Sequence, residues 1–211
     1  MENTLKFLSY QKDCRIVVTD GTELALASLR QFRGGIAAKT FLKELITTSV
    51  LFSGISDFAA KTSVTFKIDQ ELTASCTVQQ EQVRIEYSPM FEKIRESPEE
   101  KLTMRSTLSV TIGDFSGLHT SAVLAQKGNV SNVFNFFAKQ SDQIPAEFIL
   151  SEVNPSVGFV MQPLPFADND NLKKLKNELM ACLQQSDQAN GWELGRVFGD
   201  VGRQLWCKKV E

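Results

Sequence analysis

Ile36-Ala37-Ala38-Lys39-Thr40-Phe41-Leu42-Lys43-Glu44-Leu45-Ile46-Thr47-Thr48-Ser49-Val50-Leu51-Phe52-Ser53 is the stretch on which the fold turns. Leu42, Leu45, Ser49 and Phe52 recur at three-to-four spacing along one side of a helix. Ala38, Phe41, Ile46 and Val50 place apolar groups over much of the rest. A helix that is apolar nearly all round has no face to give to water, so it belongs in an interior, between two layers. The reading is an α+β fold in which antiparallel sheets pack around this long central helix.

Downstream the period changes to two. Val64, Phe66 and Ile68 alternate with Thr65, Lys67 and Asp69, and Leu72–Val78 and Val83–Tyr87 follow after hairpin-length breaks. Three short antiparallel strands are expected. Ser88–Lys101, with Pro89, Pro98 and many charges, reads as a loop. Thr103–Ile112 and Leu118–Gln126 form a further strand pair. Gly128–Ser141 returns to helix, with Val130, Val133, Phe134 and Phe137 on one face. Ala146–Val153 and Val157–Gln162 pair around Asn154-Pro155. Upstream, Cys14–Thr19 has the β-branched content of a strand. Asp20 and Glu23 stand at capping-box spacing before a helix that is expected to run to Gly34-Gly35.

Asn169–Gln185 is an amphipathic helix, with Leu172, Leu175, Leu179 and Leu183 in line and Lys173, Lys174 and Lys176 outside. Beyond it the chain is polar and glycine-containing, with a short helix candidate from Leu194 to Phe198. Residues 1–168 are therefore read as the main domain and 169–211 as a helical extension.

The 211 residues are 42% hydrophobic and 23% charged, enough for a core that needs no disulfide or metal staples. A formal charge of −2 gives no broad attraction to nucleic acid or anionic lipid. Charge breaks the N-terminal segment before an apolar run develops, and no run reaches the roughly eighteen residues of a membrane span. A cytoplasmic protein without nucleic-acid or membrane partners is expected. Cys14, Cys76, Cys182 and Cys207 form no Cys-x-x-Cys or Cys-x-Cys pair, so four free thiols are expected and no metal site.

The single histidine, His119, would have to serve any triad or histidine-metal site, and no activated-serine motif accompanies it. Gly34-Gly35 is an isolated pair with no P-loop lysine. The Glu92–Lys101 charges read as a solvated run. No catalytic residue is assigned, and the chain is read as not an enzyme.

Several ordered pieces resemble one family. They are Leu5-Lys6-Phe7-Leu8, Arg15-Ile16-Val17-Val18, Thr22-Glu23-Leu24, and Leu45–Leu51 followed by the strand Val64–Ile68. More specific are Phe136-Phe137-Ala138-Lys139-Gln140-Ser141-Asp142-Gln143-Ile144-Pro145 and Gly158-Phe159-Val160-Met161-Gln162-Pro163-Leu164-Pro165. Together they resemble the heat shock protein 33 family, the bacterial redox-regulated holdase chaperones also called HslO. The resemblance covers about residues 1–168, and 169–211 resembles the family's linker.

The resemblance implies an ATP-independent holdase that binds unfolding proteins through exposed apolar surface, and it implies dimerisation. It also implies that Leu172, Leu175, Leu179, Leu183, Leu194 and Phe198 shield that surface, whose own residues it does not identify. The family's zinc module carries Cys-x-Cys and Cys-x-x-Cys. The chain stops at Trp206-Cys207-Lys208-Lys209-Val210-Glu211, near where that module would begin. The expectation is a chain without the zinc redox switch, naturally or by truncation, with zinc expected only if such a module follows. The alternative is a non-chaperone protein-binding or regulatory module on the same fold, which a charged sheet surface without an apolar patch would favour. An enzyme using His119 or a cysteine would show a concave pocket joining it to an acid or thiol.

Overall fold

The computed structural model describes residues 4–9, 12–56, 59–80, 82–102, 105–125, 128–141, 145–188 and 207–209. Two five-stranded antiparallel sheets carry the architecture. The first contains β1 (Thr4–Ser9), β2 (Cys14–Asp20), β8 (Glu147–Leu150), β9 (Val157–Pro163) and β10 (Cys207–Lys209), in the order β10-β1-β2-β9-β8. The second contains β3 (Lys61–Lys67), β4 (Thr73–Gln79), β5 (Gln82–Tyr87), β6 (Thr107–Asp114) and β7 (Gly117–Leu124), in the order β5-β4-β3-β6-β7.

Between them lies the helix expected from the opening stretch. After a short α1 (Thr22–Ser28), α2 runs from Ile36 to Ile55 and touches β2 and β9 of one sheet and β3 and β4 of the other. Thirteen of its twenty residues are buried. Three of these are hydroxyl residues, and each donates back along the helix: Thr47 to Lys43 O, Thr48 to Glu44 O and Ser49 to Leu45 O. That satisfies groups whose burial would otherwise be costly. Gly54 lets the helix cross the first sheet closely, because a Cβ there would lie 2.7 Å from Val17 Cγ1.

Strand alternation divides the apolar residues into two clusters. On β2, Val17 faces α2, whereas Cys14, Ile16 and Val18 face the opposite side of the sheet. The larger cluster holds an aromatic centre. The Phe52 ring lies 5.9 Å from Phe137, 6.2 Å from Phe134 and 6.3 Å from Phe148.

Three expectations are corrected. Asp20 and Glu23 make no capping box: the residue before α1 is Gly21, held by its N–H to Ser156 O at 2.7 Å, and Asp20 Oδ1 instead accepts from the Thr22 N–H. The helix also stops at Ser28, short of Gly34-Gly35. Its end tightens into a Phe32 N–H to Leu29 O bond that carries Phe32 to an edge-on contact with Tyr87 at 5.2 Å. Ser88–Lys101 is not loop throughout. Pro89 precedes α3 (Met90–Lys93), and Pro98 opens a 3₁₀ turn to Lys101, because a proline costs a helix nothing where its first N–H has no partner anyway. The buried Phe91 anchors this segment against Phe41 at 5.7 Å.

The two later helices follow the sequence reading, whereas β6 begins at Thr107 rather than Thr103, β8 covers only Glu147–Leu150 of the expected Ala146–Val153, and Cys207–Lys209 of the expected helical extension is a strand. α4 (Val130–Ser141) buries Val130, Val133, Phe134 and Phe137. α5 (Asn169–Gln188) begins where Asp168 Oδ1 accepts from the N–H groups of Asp170 and Asn171. Among the described residues no helix is long and apolar enough to cross a membrane.

Candidate functional site

Among the described residues, the histidine and the thiols lie apart from one another. His119 is exposed on β7, beside the β6–β7 turn. Ser116 Oγ lies 2.8 Å from His119 Nε2 but donates its proton to Asp114 Oδ1 at 2.6 Å. The carboxylate therefore takes the hydroxyl proton that a triad would pass to histidine, and it does not orient the far ring nitrogen. Hydrogen bonds from Ser116, side chain first and then backbone, hold Asp114 below its ordinary pKa. The trio is a turn lock.

The described thiols are free, and they are divided between the two apolar clusters: Cys76 in the larger, Cys14 in the smaller, with half-buried Cys182 packed against the latter. Burial pushes the Cys76 thiol up to about 12, and burial followed by the Glu178 charge raises Cys182. Among the described residues no group of three or more His, Cys, Asp or Glu could hold a metal. This donor set does not fit a four-thiolate zinc site. The Cys207 side chain lies outside the described residues.

One acidic pair is perturbed. Glu44 on α2 faces Glu99 of the 3₁₀ turn, and the Val130 N–H at the start of α4 donates to Glu44 Oε2 at 3.3 Å. Burial first, then the Glu99 charge, raises Glu44 from 4.5 to about 7, and burial likewise raises Glu99. The folded protein thus holds a proton that the unfolded chain releases. The associated stability is fully present below pH 4.5 and is lost as pH rises through about 7. Glu44→Gln keeps an acceptor for Val130 and adds a donor for Glu99. It is expected to be more stable than the parent at pH 8 by on the order of 1 kcal/mol and equal to it at pH 4, measured by urea unfolding at both. The same difference at both pH values would contradict this account. Among the described residues the pair joins three elements, α2, the 3₁₀ turn and the start of α4.

The feature with functional shape is the outer face of the first sheet. Phe7, Ile16, Val18, Val157, Phe159 and Met161 form a continuous apolar surface there, facing away from α2. α5 lies across it. Of the residues singled out in sequence, Leu175, Leu179 and Leu183 are buried in this cluster, and Leu172 packs half-buried at its margin. Leu194 and Phe198 lie outside the described residues, as do Asp142, Gln143 and Ile144 of the quoted motif.

The attachment of α5 is thin. Among the described residues of α5 three are buried, against thirteen residues in α2; Leu172, Met180 and Cys182 pack half-buried beside them, and a half-exposed ion pair ties Lys176 to Glu147. Each buried leucine contributes about 1.5–3 kcal/mol, and the exposed pair at most about 1 kcal/mol. Sequence reasoning found the leucines from their spacing. It missed which sheet receives them, because the receiving surface joins β1 and β2 at the start of the chain to β9, far away in sequence.

Comparison with known proteins agrees with this architecture. Residues 2–195 match the family model described as Hsp33 protein. No curated protein matches the chain. Among solved structures, the 33 kDa chaperonin (heat shock protein 33 homolog) of Thermotoga maritima is similar, with a TM-score of 0.68 at 12% identity, covering 100% of this chain and 79% of that one. At this identity the structural likeness speaks for the fold.

Proposed function

The chain belongs to the Hsp33 family, a family of chaperones, and from that premise we propose that it is an ATP-independent holdase. Non-native clients bind on the outer face of the first sheet, and α5 is the cover that must leave first. The observation that carries this reading is an apolar face of Phe7, Ile16, Val18, Phe159 and Met161 covered, among the described residues, by one face of a single helix through buried Leu175, Leu179 and Leu183. Client binding is then exchange of one apolar partner for another, driven by removal of hydrocarbon from water and without turnover. Leu172, Leu175, Leu179 and Leu183 are the shielding residues; Leu194 and Phe198 are assigned the same role from the family alone.

We infer that activity does not depend on oxidation of Cys76 or Cys182. Peroxide attacks thiolates, and the raised Cys76 and Cys182 thiols stay protonated at neutral pH. Light scattering from a chemically denatured client diluted into buffer tests both points. Aggregation is expected to fall in proportion to added chain, without ATP, and peroxide treatment is expected to change the half-effective concentration by less than about twofold. Failure to suppress scattering in either redox state would end the holdase reading. Suppression only after peroxide would end the redox-independent part.

A further inference from the structure

The two edges of the second sheet are built differently. β5 carries charge along its outer side, where Arg84 and Glu86 pair at 2.6 Å. β7 contains no Lys, Arg, Asp, Glu or Pro in its eight residues, and Gly117–Ala122 are all exposed. Its inner face turns toward α4, but no described strand pairs with its free edge. Folded proteins protect such edges with charge, proline or bulges, because a row of open backbone groups templates another strand. β7 has none of these protections.

The ladder gives the phase of the open groups. The Ala125 N–H donates to Ser106 O, its opposite residue, at 2.8 Å, so the hydrogen-bonded pairs of β6 and β7 continue at Leu108–Val123, Val110–Ser121 and Ile112–His119. The alternate residues Leu118, Thr120, Ala122 and Leu124 therefore turn both N–H and C=O outward. Their side chains share the solvent face of the sheet. Leu118 is 74% and Leu124 59% exposed, and Phe115 at the adjoining turn is 91% exposed.

We propose that the free edge of β7 accepts an extended, uncharged segment of a non-native client as a sixth strand, so that clients meet an open backbone-reading edge as well as the covered apolar face. The proposal rests on the holdase reading and names the client conformation that this edge takes. Backbone pairing is indifferent to sequence, and an uncharged strip flanked by leucines selects extended apolar or hydroxyl-bearing segments over charged ones. One added strand falls well short of the roughly 1,200–2,000 Å² of a stable specific interface, which suits a weak contact repeated along an unfolded chain better than a lasting contact with a second copy.

The probe is a fluorescent ten-residue peptide of alternating valine and threonine with blocked ends, titrated with the full chain and followed by anisotropy. A second peptide is N-methylated through its central six residues. Ala122→Pro removes an outward N–H while leaving the β6 ladder intact, and Leu118→Lys with Leu124→Lys places charge on the edge. Saturable binding is expected to weaken at least tenfold with the methylated peptide and with each variant, while circular dichroism stays unchanged. Should Ala122→Pro fail to fold, the lysine variant decides. Equal binding of both peptides, or unchanged binding by the folded variants, would overturn the proposal. So would absence of peptide binding combined with self-association that these variants abolish, since the edge would then belong to a second copy. Client scattering separates the two readings. Intact suppression with peptide binding indifferent to the variants defeats the edge alone, and edge-dependent peptide binding without suppression defeats the holdase reading.

Discussion

Replacing Leu179 and Leu183 together with glutamate is expected to make the chain a stronger suppressor of client aggregation, lowering the half-effective concentration by several-fold. Both leucines are 3% exposed and sit against the cluster of Phe159, Ile16 and Val18. Each substitution forfeits about 1.5–3 kcal/mol of apolar burial and would set a carboxylate on hydrocarbon, so the bound position of α5 becomes untenable. The helix leaves, and an apolar patch of a few hundred Å² opens, the size that marks interaction surfaces. The α2-centred cluster does not contain these leucines, so far-ultraviolet dichroism should retain its strand signal. A hydrophobic dye should brighten in parallel with the gain in suppression. A brighter dye with weaker suppression would place client binding elsewhere.

The second large effect concerns stability. Phe52→Ala is expected to cost about 3–5 kcal/mol, because Phe52 is 1% exposed and its ring meets Phe134, Phe137 and Phe148 at 6.2, 5.9 and 6.3 Å. Those partners come from α4 and β8, so the cavity would open where α2, α4 and the first sheet converge. For a domain of this size a loss of that order lowers Tm by roughly 10 °C. Phe115→Ala, at 91% exposure, provides the contrast and should leave Tm within about 2 °C. Differential scanning calorimetry of the two variants against the parent checks both. A Phe52 variant as stable as the parent would mean that α2 is not the centre of the fold.

These two effects lie where the sequence was most legible. The α2 stretch is apolar on nearly every side, a pattern that admits few places other than an interior. The leucine line of α5 shows a helix with one apolar face, and the period-two runs gave β4 and β5 to within a residue, while β3 begins at Lys61, three residues before the expected Val64. What stayed hidden depends on partners distant in sequence. Gly21 rather than Asp20 precedes α1 because Ser156 O holds it. β1 pairs with β10, a strand of three residues drawn from a stretch that reads as polar tail. Glu44 and Glu99 look like separate solvated charges until the 3₁₀ turn sets one against the other. The exposure of β7 is likewise invisible in a run that reads as an ordinary strand, since among the described residues it depends on which strands pair beside it.

The central claim is that α5 and a client compete for one apolar face. A photo-reactive amino acid in place of Leu5, which packs at the margin of that face, reports its occupant directly. In the parent chain, irradiation should join position 5 to the α5 segment. In the Leu179→Glu/Leu183→Glu variant with denatured client present, the α5 crosslink should vanish and a client crosslink should replace it. Persistence of the α5 crosslink while client aggregation is suppressed, or loss of it without any client crosslink, would contradict the claim.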